Sequence, residues 1–335
     1  MDSLSQLVLG AAVGVAVMGR RTALWKAALW GGICGTLPDL DAFVDQGDAI
    51  RNMTLHRAHS HALFYLTLLS LPLAAAIARL HRQWQELRYW WLAVWLALIT
   101  HPLLDWMTVY GTQLGRPFTT EPFGLGSIFI IDPLYTLPLL VGVVAALRLP
   151  VARALRWNTA GLVLSTSYLL WSALVQQHVT GIARQALAAQ GLSSTQLLVT
   201  PTPLNTVAWR ILAISPDGYH EGFYALTDAS QAVTFTRFAR GQELAPVLAG
   251  NAGAQSLAAF SHGFYKLSEK AGQVYITDLR MGQEPHYLFQ FRVAQRNGVA
   301  YEPLPPQQQG MRTPLGPGFR WLGRRILGEP VEPPR

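Results

Sequence analysis

The chain has 335 residues, half of them hydrophobic and 13% charged, with a formal charge of +7, a single cysteine and a positive mean hydropathy. That length admits two domains, and the lone Cys34 excludes an internal disulfide or a cysteine-rich metal site. The first 180 residues hold 12 Lys/Arg against 9 Asp/Glu and the remainder 14 against 10, with no dense basic patch, zinc knuckle or helix-turn-helix, which argues against a nucleic-acid partner.

Residues 4–19, LSQLVLGAAVGVAVMG, form the first apolar run. No Lys or Arg precedes it, so the basic start of a cleavable signal peptide is missing, and it is read as a retained helix whose small residues let neighbours approach closely. The second run, 23–37, stops at Pro38. Cys34, inside it, reads as a small buried residue. A third run, 62–80, contains Pro72 and is expected to kink there. The fourth, 89–110, carries Trp90, Trp91 and Trp95 towards one end and Trp106 and Tyr110 towards the other, as interfacial aromatics do. Runs 128–147 and 157–176 complete the set. Several are shorter than the roughly 20 residues that cross a bilayer, so they are read as partly buried by neighbours or half-inserted.

Basic residues orient these runs. The odd-numbered loops hold Arg20, Arg21, Lys26, Arg79, Arg82, Arg88, Arg148, Arg153 and Arg156, and the even-numbered ones Arg51, Arg57 and Arg116. The imbalance places odd loops in the cytoplasm and the rest, with both termini, on the extracytoplasmic face of a bacterial inner membrane, periplasmic in a Gram-negative cell.

Beyond about residue 178 the composition becomes ordinary. Alternating stretches at 206–215, 219–226, 232–238, 272–278 and 286–293 predict strands, and 244–260 a helix. From Pro303 eight prolines predict an extended tail around a basic-aromatic segment at 319–327, read equally as a lipid-headgroup contact or an ordinary surface helix. The expected fold is therefore a mainly α multi-pass membrane domain of about six helical segments (1–180), a small α+β or mostly β extracytoplasmic domain (181–302), and a Pro-rich tail (303–335).

The polar segment 36–61 packs Asp39, Asp41, Asp45, Asp48, His56, His59 and His61 between two apolar runs. His101 and Asp105, four apart in the fourth run, project from one helical face. Ionisable groups inside an apolar run are costly and point to function, although a plain His–Asp structural pair has the same spacing. The predicted topology brings His56 and His61 level with His101. His56, His61, His101 and Asp105 then supply the four nitrogen and oxygen donors that a divalent cation needs, zinc first and manganese or magnesium as alternatives. Asp39 is open to three roles: further ligand, ligand of a second metal, or catalytic base. Asp41 fits an outer partner that orients an imidazole. His59 is one histidine too many and reads as a bystander. Asp132, before Pro133, has a sufficient role as a helix N-terminal carboxylate. Arg57 fits either a substrate phosphate or carboxylate, or a nearby aspartate.

The strings MDSLSQLVLGAAVG, GTLPDLD, HRAHSH, THPLLDWMTVYGTQL with Pro117-Phe118, and SIFIIDPLYTLPLL resemble, in order, the family of inner-membrane-associated metal-dependent hydrolases, some of whose members are regulated by LexA. The resemblance covers about residues 1–180. It implies a multi-helix membrane domain and a metal site at Asp39, Asp41, His56, His61, His101 and Asp105, and also at Asp132. The expected activity is hydrolysis of a lipid or lipid-linked ester or phosphoester by a metal-activated water. A transporter using the same residues as an ion path, and a non-catalytic scaffold with a structural metal, are the alternatives.

Overall fold

The computed structural model describes residues 1–298 and 300–334, and in it each of the six apolar runs is helical. In chain order the helices are α1 (Ser3–Met18), α2 (Leu24–Thr36), the short α3 (Ala49–Leu55), α4 (Leu63–Leu80), α5 (Leu87–Trp106), α6 (Pro133–Arg148) and α7 (Val151–Ala189), which contains the sixth run. The Asp2 carboxylate caps α1 by accepting from the Leu4 and Ser5 amides, and Asp132 caps α6, which has Pro133 in its first turn. Pro38 ends α2 by opening a 3-10 turn over Leu37–Phe43.

Only α4 among the described residues is both long and apolar enough to cross a membrane, and α1 and α6 are shorter apolar helices. The chain therefore has a helical N-terminal region with one clear candidate span.

The chain divides into two units. The first comprises Met1–Val44, Arg57–Ala173 and Pro203–Asn205, and the second Asp45–His56, Leu174–Thr202 and the chain from Thr206 onward. In the first, α1 and α2 pack backbone to backbone through facing glycines. A Cβ on Gly10 would stand 2.2 Å from the Gly31 carbonyl oxygen, and one on Gly31 would stand 2.2 Å from that of Gly10. Close approach between helices needs small residues at those positions. The remaining core is aliphatic, around Trp90, Leu98, Tyr135 and Leu139.

In the second unit β1 (Gln196–Pro201), β2 (Ala208–Ser215), β3 (Gly218–Ala225) and β4 (Phe235–Phe238) form an antiparallel sheet in chain order. After α8 (Ala245–Ala249) and α9 (Ala252–Phe260) come β5 (Tyr265–Lys270), β6 (Gln273–Asp278), the short pair β7 (Gly282–Gln283) and β8 (His286–Tyr287), β9 (Gln290–Asn297), β10 (Ala300–Gln308) and α10 (Leu315–Ile326). The second sheet has the order β10-β9-β6-β5.

β2 does not alternate between core and solvent, because all eight of its residues are buried. Trp209 and Ile211 pack with Val175 and Val179 of α7, while Leu212 and Ile214 pack with Phe264 and Leu279. Arg210 is tolerated there because Glu221 and the Leu279 carbonyl, each at 2.7 Å, satisfy its guanidinium. The 244–260 helix is broken in two at Gly250 and Asn251, with Asn251 capping α9. The Pro-rich stretch holds the end of β10, where Pro305 and Pro306 fall in a register break between Pro303 and Gln307 on an edge strand, the place where a sheet accepts proline. The basic-aromatic segment lies largely in α10, whose Trp321 packs edge-on against Phe223 and whose Arg325 pairs with Asp228.

Candidate metal centre

His101 and Asp105 project from successive turns of α5, and both are fully buried. His61 ends a 3-10 turn at His59–His61 just before α4 and is also fully buried. Asp39, on the turn that Pro38 opens, completes the group and is 20% exposed.

Four atoms converge. His61 Nε2 lies 3.1 Å from His101 Nε2; Asp39 Oδ1 is 3.4 Å from each; and Asp105 Oδ2 is 3.3 Å from the first and 3.4 Å from the second. All four donors lie within 4.8 Å of one another. Across that range of the sixth separation, a point equidistant from four such atoms is about 2.0–2.4 Å from each, bracketing the bond lengths of zinc to imidazole nitrogen and carboxylate oxygen.

The outer hydrogen bonds set the state of these donors. His101 Nδ1 is 2.6 Å from the Gly35 carbonyl, an acceptor only, so Nδ1 carries the proton and a neutral ring leaves a bare lone pair on Nε2. The Ser60 hydroxyl donates to Asp41 and lies 2.9 Å from His61 Nδ1, so it accepts from Nδ1–H and leaves the second Nε2 bare as well. Asp105 Oδ2 is buried without a hydrogen-bond partner. Two lone pairs and two carboxylate oxygens thus face one another; Arg57 and the Met1 amine offset the charge of Asp105, and the bare nitrogens and Asp39 still face inward as donors for a cation. The residues fit a divalent metal ion.

The surrounding residues hold the donors in place. Gln6 of α1 donates to Asp105 Oδ1 at 3.1 Å and to the His101 carbonyl at 3.2 Å, and the Met1 amine also pairs with Oδ1. Asp41 accepts from the Arg57 amide at 3.0 Å as well as from Ser60. Arg57, buried and with a backbone φ of 64°, places Nε 3.1 Å from Asp105 Oδ2, donates to Thr108 and stacks on Tyr110. Its guanidinium serves an aspartate, the second of the two roles its position allowed.

His56 is the C-cap of α3 in the second unit and is not one of these four donors. Asp132 caps α6 and accepts from the Tyr168 hydroxyl at 2.8 Å. Asp48 caps α3, and Asp45 accepts from the Gly47 amide. Ser60, Gln6 and Gly35 are the supporting residues that the sequence pattern did not single out. Gln6 was detectable as a polar side chain in an apolar run, whereas a glycine carbonyl has no sequence signal.

The model of the YdjM inner membrane protein family matches residues 1–179, more than half of the chain. The chain belongs to this family. All four donors fall within the YdjM match, and membership supports an inner-membrane location and association with the lipid bilayer. A relative from Bacillus subtilis (strain 168), the uncharacterized protein YfhP, is 28% identical over 139 residues, covering 40% of this chain and 42% of its own length. The chain thus spans less than half of that relative. No solved structure matches the chain.

Proposed function

We propose that this YdjM-family protein is a membrane-embedded, metal-dependent hydrolase acting on a lipid or lipid-linked ester or phosphoester. Its helical runs would cross the membrane with the metal centre on the extracytoplasmic side, as the nine-to-three basic imbalance suggests. The observation that carries the proposal is the convergence of two bare imidazole nitrogens and two carboxylate oxygens in a buried pocket where each imidazole proton is directed outward.

A divalent cation bound there, zinc first and manganese or magnesium next, would supply Lewis acidity, lowering the pKa of water and polarising a substrate oxygen. His61, His101 and Asp105, all fully buried, are the three protein ligands expected of a catalytic site. Asp39, the partly exposed member of the group, occupies the open edge and is suited to take a proton from the attacking water. Asp41 works through Ser60 to fix the His61 ring, and Gln6 and Arg57 hold the Asp105 carboxylate.

The near-tetrahedral set of four donors also favours a second reading, a closed structural metal site without catalysis. Asp39→Asn separates the two. The catalytic reading predicts that the variant keeps its metal and loses at least about 100-fold in hydrolysis of a fluorogenic phospholipid or ester panel, as expected for loss of a general base. The structural reading predicts that the same variant loses metal and thermal stability together, with no hydrolysis in the wild type.

A further inference from the structure

Access to the four donors is one-sided. His61, His101 and Asp105 have no exposed side-chain surface, so anything that reaches the centre passes Asp39. The two residues before Asp39, Leu37 and Pro38, line a shallow groove of about 120 Å³ that Ser60, Tyr65, Leu66 and Leu69 complete. That is below the roughly 300–1,000 Å³ of a pocket that encloses a whole ligand, so the groove has room for a few methylenes and not for a complete small molecule. Nearly all of its wall is apolar, and the long wall is α4, the helix able to cross a membrane. Water-soluble substrates gain little from such a wall, whereas a hydrocarbon chain is matched along its length.

One end of the groove is polar. His59 lines it, and its Nε2 accepts from Arg116 at 2.9 Å, while Arg116 Nε donates to Gln113. Arg116 has no carboxylate partner among the described residues, so its charge is available to an anion. A guanidinium is the side chain best shaped to bind phosphate oxygens. Phe118, 81% exposed, stands edge-on to Phe64 in the first turn of α4. Exposed aromatics of this kind suit the boundary between headgroups and acyl chains.

We propose that the groove between Leu37–Pro38 and the first turns of α4 seats the headgroup-proximal segment of one acyl chain of an anionic phospholipid, with Arg116, held by His59, on its phosphate. The proposal rests on the hydrolase reading for its purpose and gives that site a substrate class. His59 then acts as a positioning residue for Arg116, outside the metal set.

The test uses the full-length protein in neutral detergent, with retention of dioleoyl phosphatidylglycerol, dioleoyl phosphatidylcholine and inorganic phosphate measured by native mass spectrometry and by competition. Leu69→Trp fills the groove from a position that is 39% exposed and tolerant of bulk. Its expected effect is a fall of about tenfold or more in retention of both lipids, with metal content unchanged. Arg116→Gln is expected to remove the preference for phosphatidylglycerol over phosphatidylcholine while leaving chain binding in place. Inorganic phosphate is expected to compete weakly. Wild-type retention of phosphatidylglycerol in Arg116→Gln, or in a folded Leu69→Trp, overturns the proposal, as does displacement of the lipid by millimolar phosphate. If Leu69→Trp elutes as aggregate, Arg116→Gln decides alone. A wild type that holds no metal but retains phosphatidylglycerol through Leu69 and Arg116 would remove the hydrolase reading and leave the groove standing.

Discussion

Replacing His101 by alanine is expected to reduce bound divalent metal from about one equivalent per chain to under about a tenth, because one of four converging donors is lost and the ion binds only the folded arrangement. The remaining donors cannot compensate. Asp105 Oδ2 and Asp39 Oδ1 each lie 3.4 Å from His101 Nε2, and deleting the ring leaves two carboxylates beside one imidazole with an open gap between them. The same change also orphans the Gly35 carbonyl from its 2.6 Å partner. A ligand present at 100 to 1,000 times its dissociation constant contributes about 2.7–4.1 kcal/mol to stability. Chelation should therefore lower the melting temperature of the wild type and leave that of His101→Ala unmoved. His81→Ala is the matched control, since His81 lies outside the donor group and accepts from Trp30 at 2.7 Å. It should keep the metal.

Gly31→Val is expected to be at least as damaging by a different route. Its Cβ would stand 2.2 Å from the Gly10 carbonyl oxygen and 3.0 Å from the Gly14 Cα, both backbone atoms of a packed helix that cannot turn aside. The cost should exceed about 3 kcal/mol, the upper end of ordinary overpacking, and appear as loss of monodisperse protein in detergent. Surviving protein should also hold less metal, because separating α1 from α2 moves Gln6 away from Asp105 and Gly35 away from His101. Gly181→Ala, in α7 with no atom near the added carbon, should be neutral or stabilising by about 0.5–1 kcal/mol. A matched pair of this kind separates a steric requirement from a general dislike of glycine replacement.

What could be read from the sequence followed the range of the interaction. Runs of apolar residues locate the six helices, because helix formation there depends on neighbours in the chain, although α7 extends 13 residues beyond the end of its apolar run, through the polar sequence to Ala189. The i, i+4 pair His101 and Asp105 is legible for the same reason. Which residue stands opposite that pair is a matter of tertiary folding. His56 and His61 look equivalent in HRAHSH, but only His61 stands beside His101 among the four converging donors, the left-handed backbone at Arg57 separating it from His56 at the end of α3. Asp39, weighed in three roles, has one oxygen among the donors. The alternating stretch 206–215 located β2, but its burial does not alternate because both of its faces are covered. β1, β5 and β10 were missed because their short, partly exposed or proline-broken sequences acquire strand character only by pairing. The number of helices that cross the bilayer depends on lipid contact, which length and hydropathy constrain only at α4.

X-ray absorption at the metal edge of the purified wild-type protein tests the central claim most directly. The predicted spectrum is that of one divalent ion per chain with two imidazole nitrogens and one or two carboxylate oxygens at about 2.0–2.2 Å and no sulfur, and the imidazole signal should disappear in His101→Ala. Protein without stoichiometric metal, or a first shell that keeps its imidazole signal when His101 is removed, would contradict it.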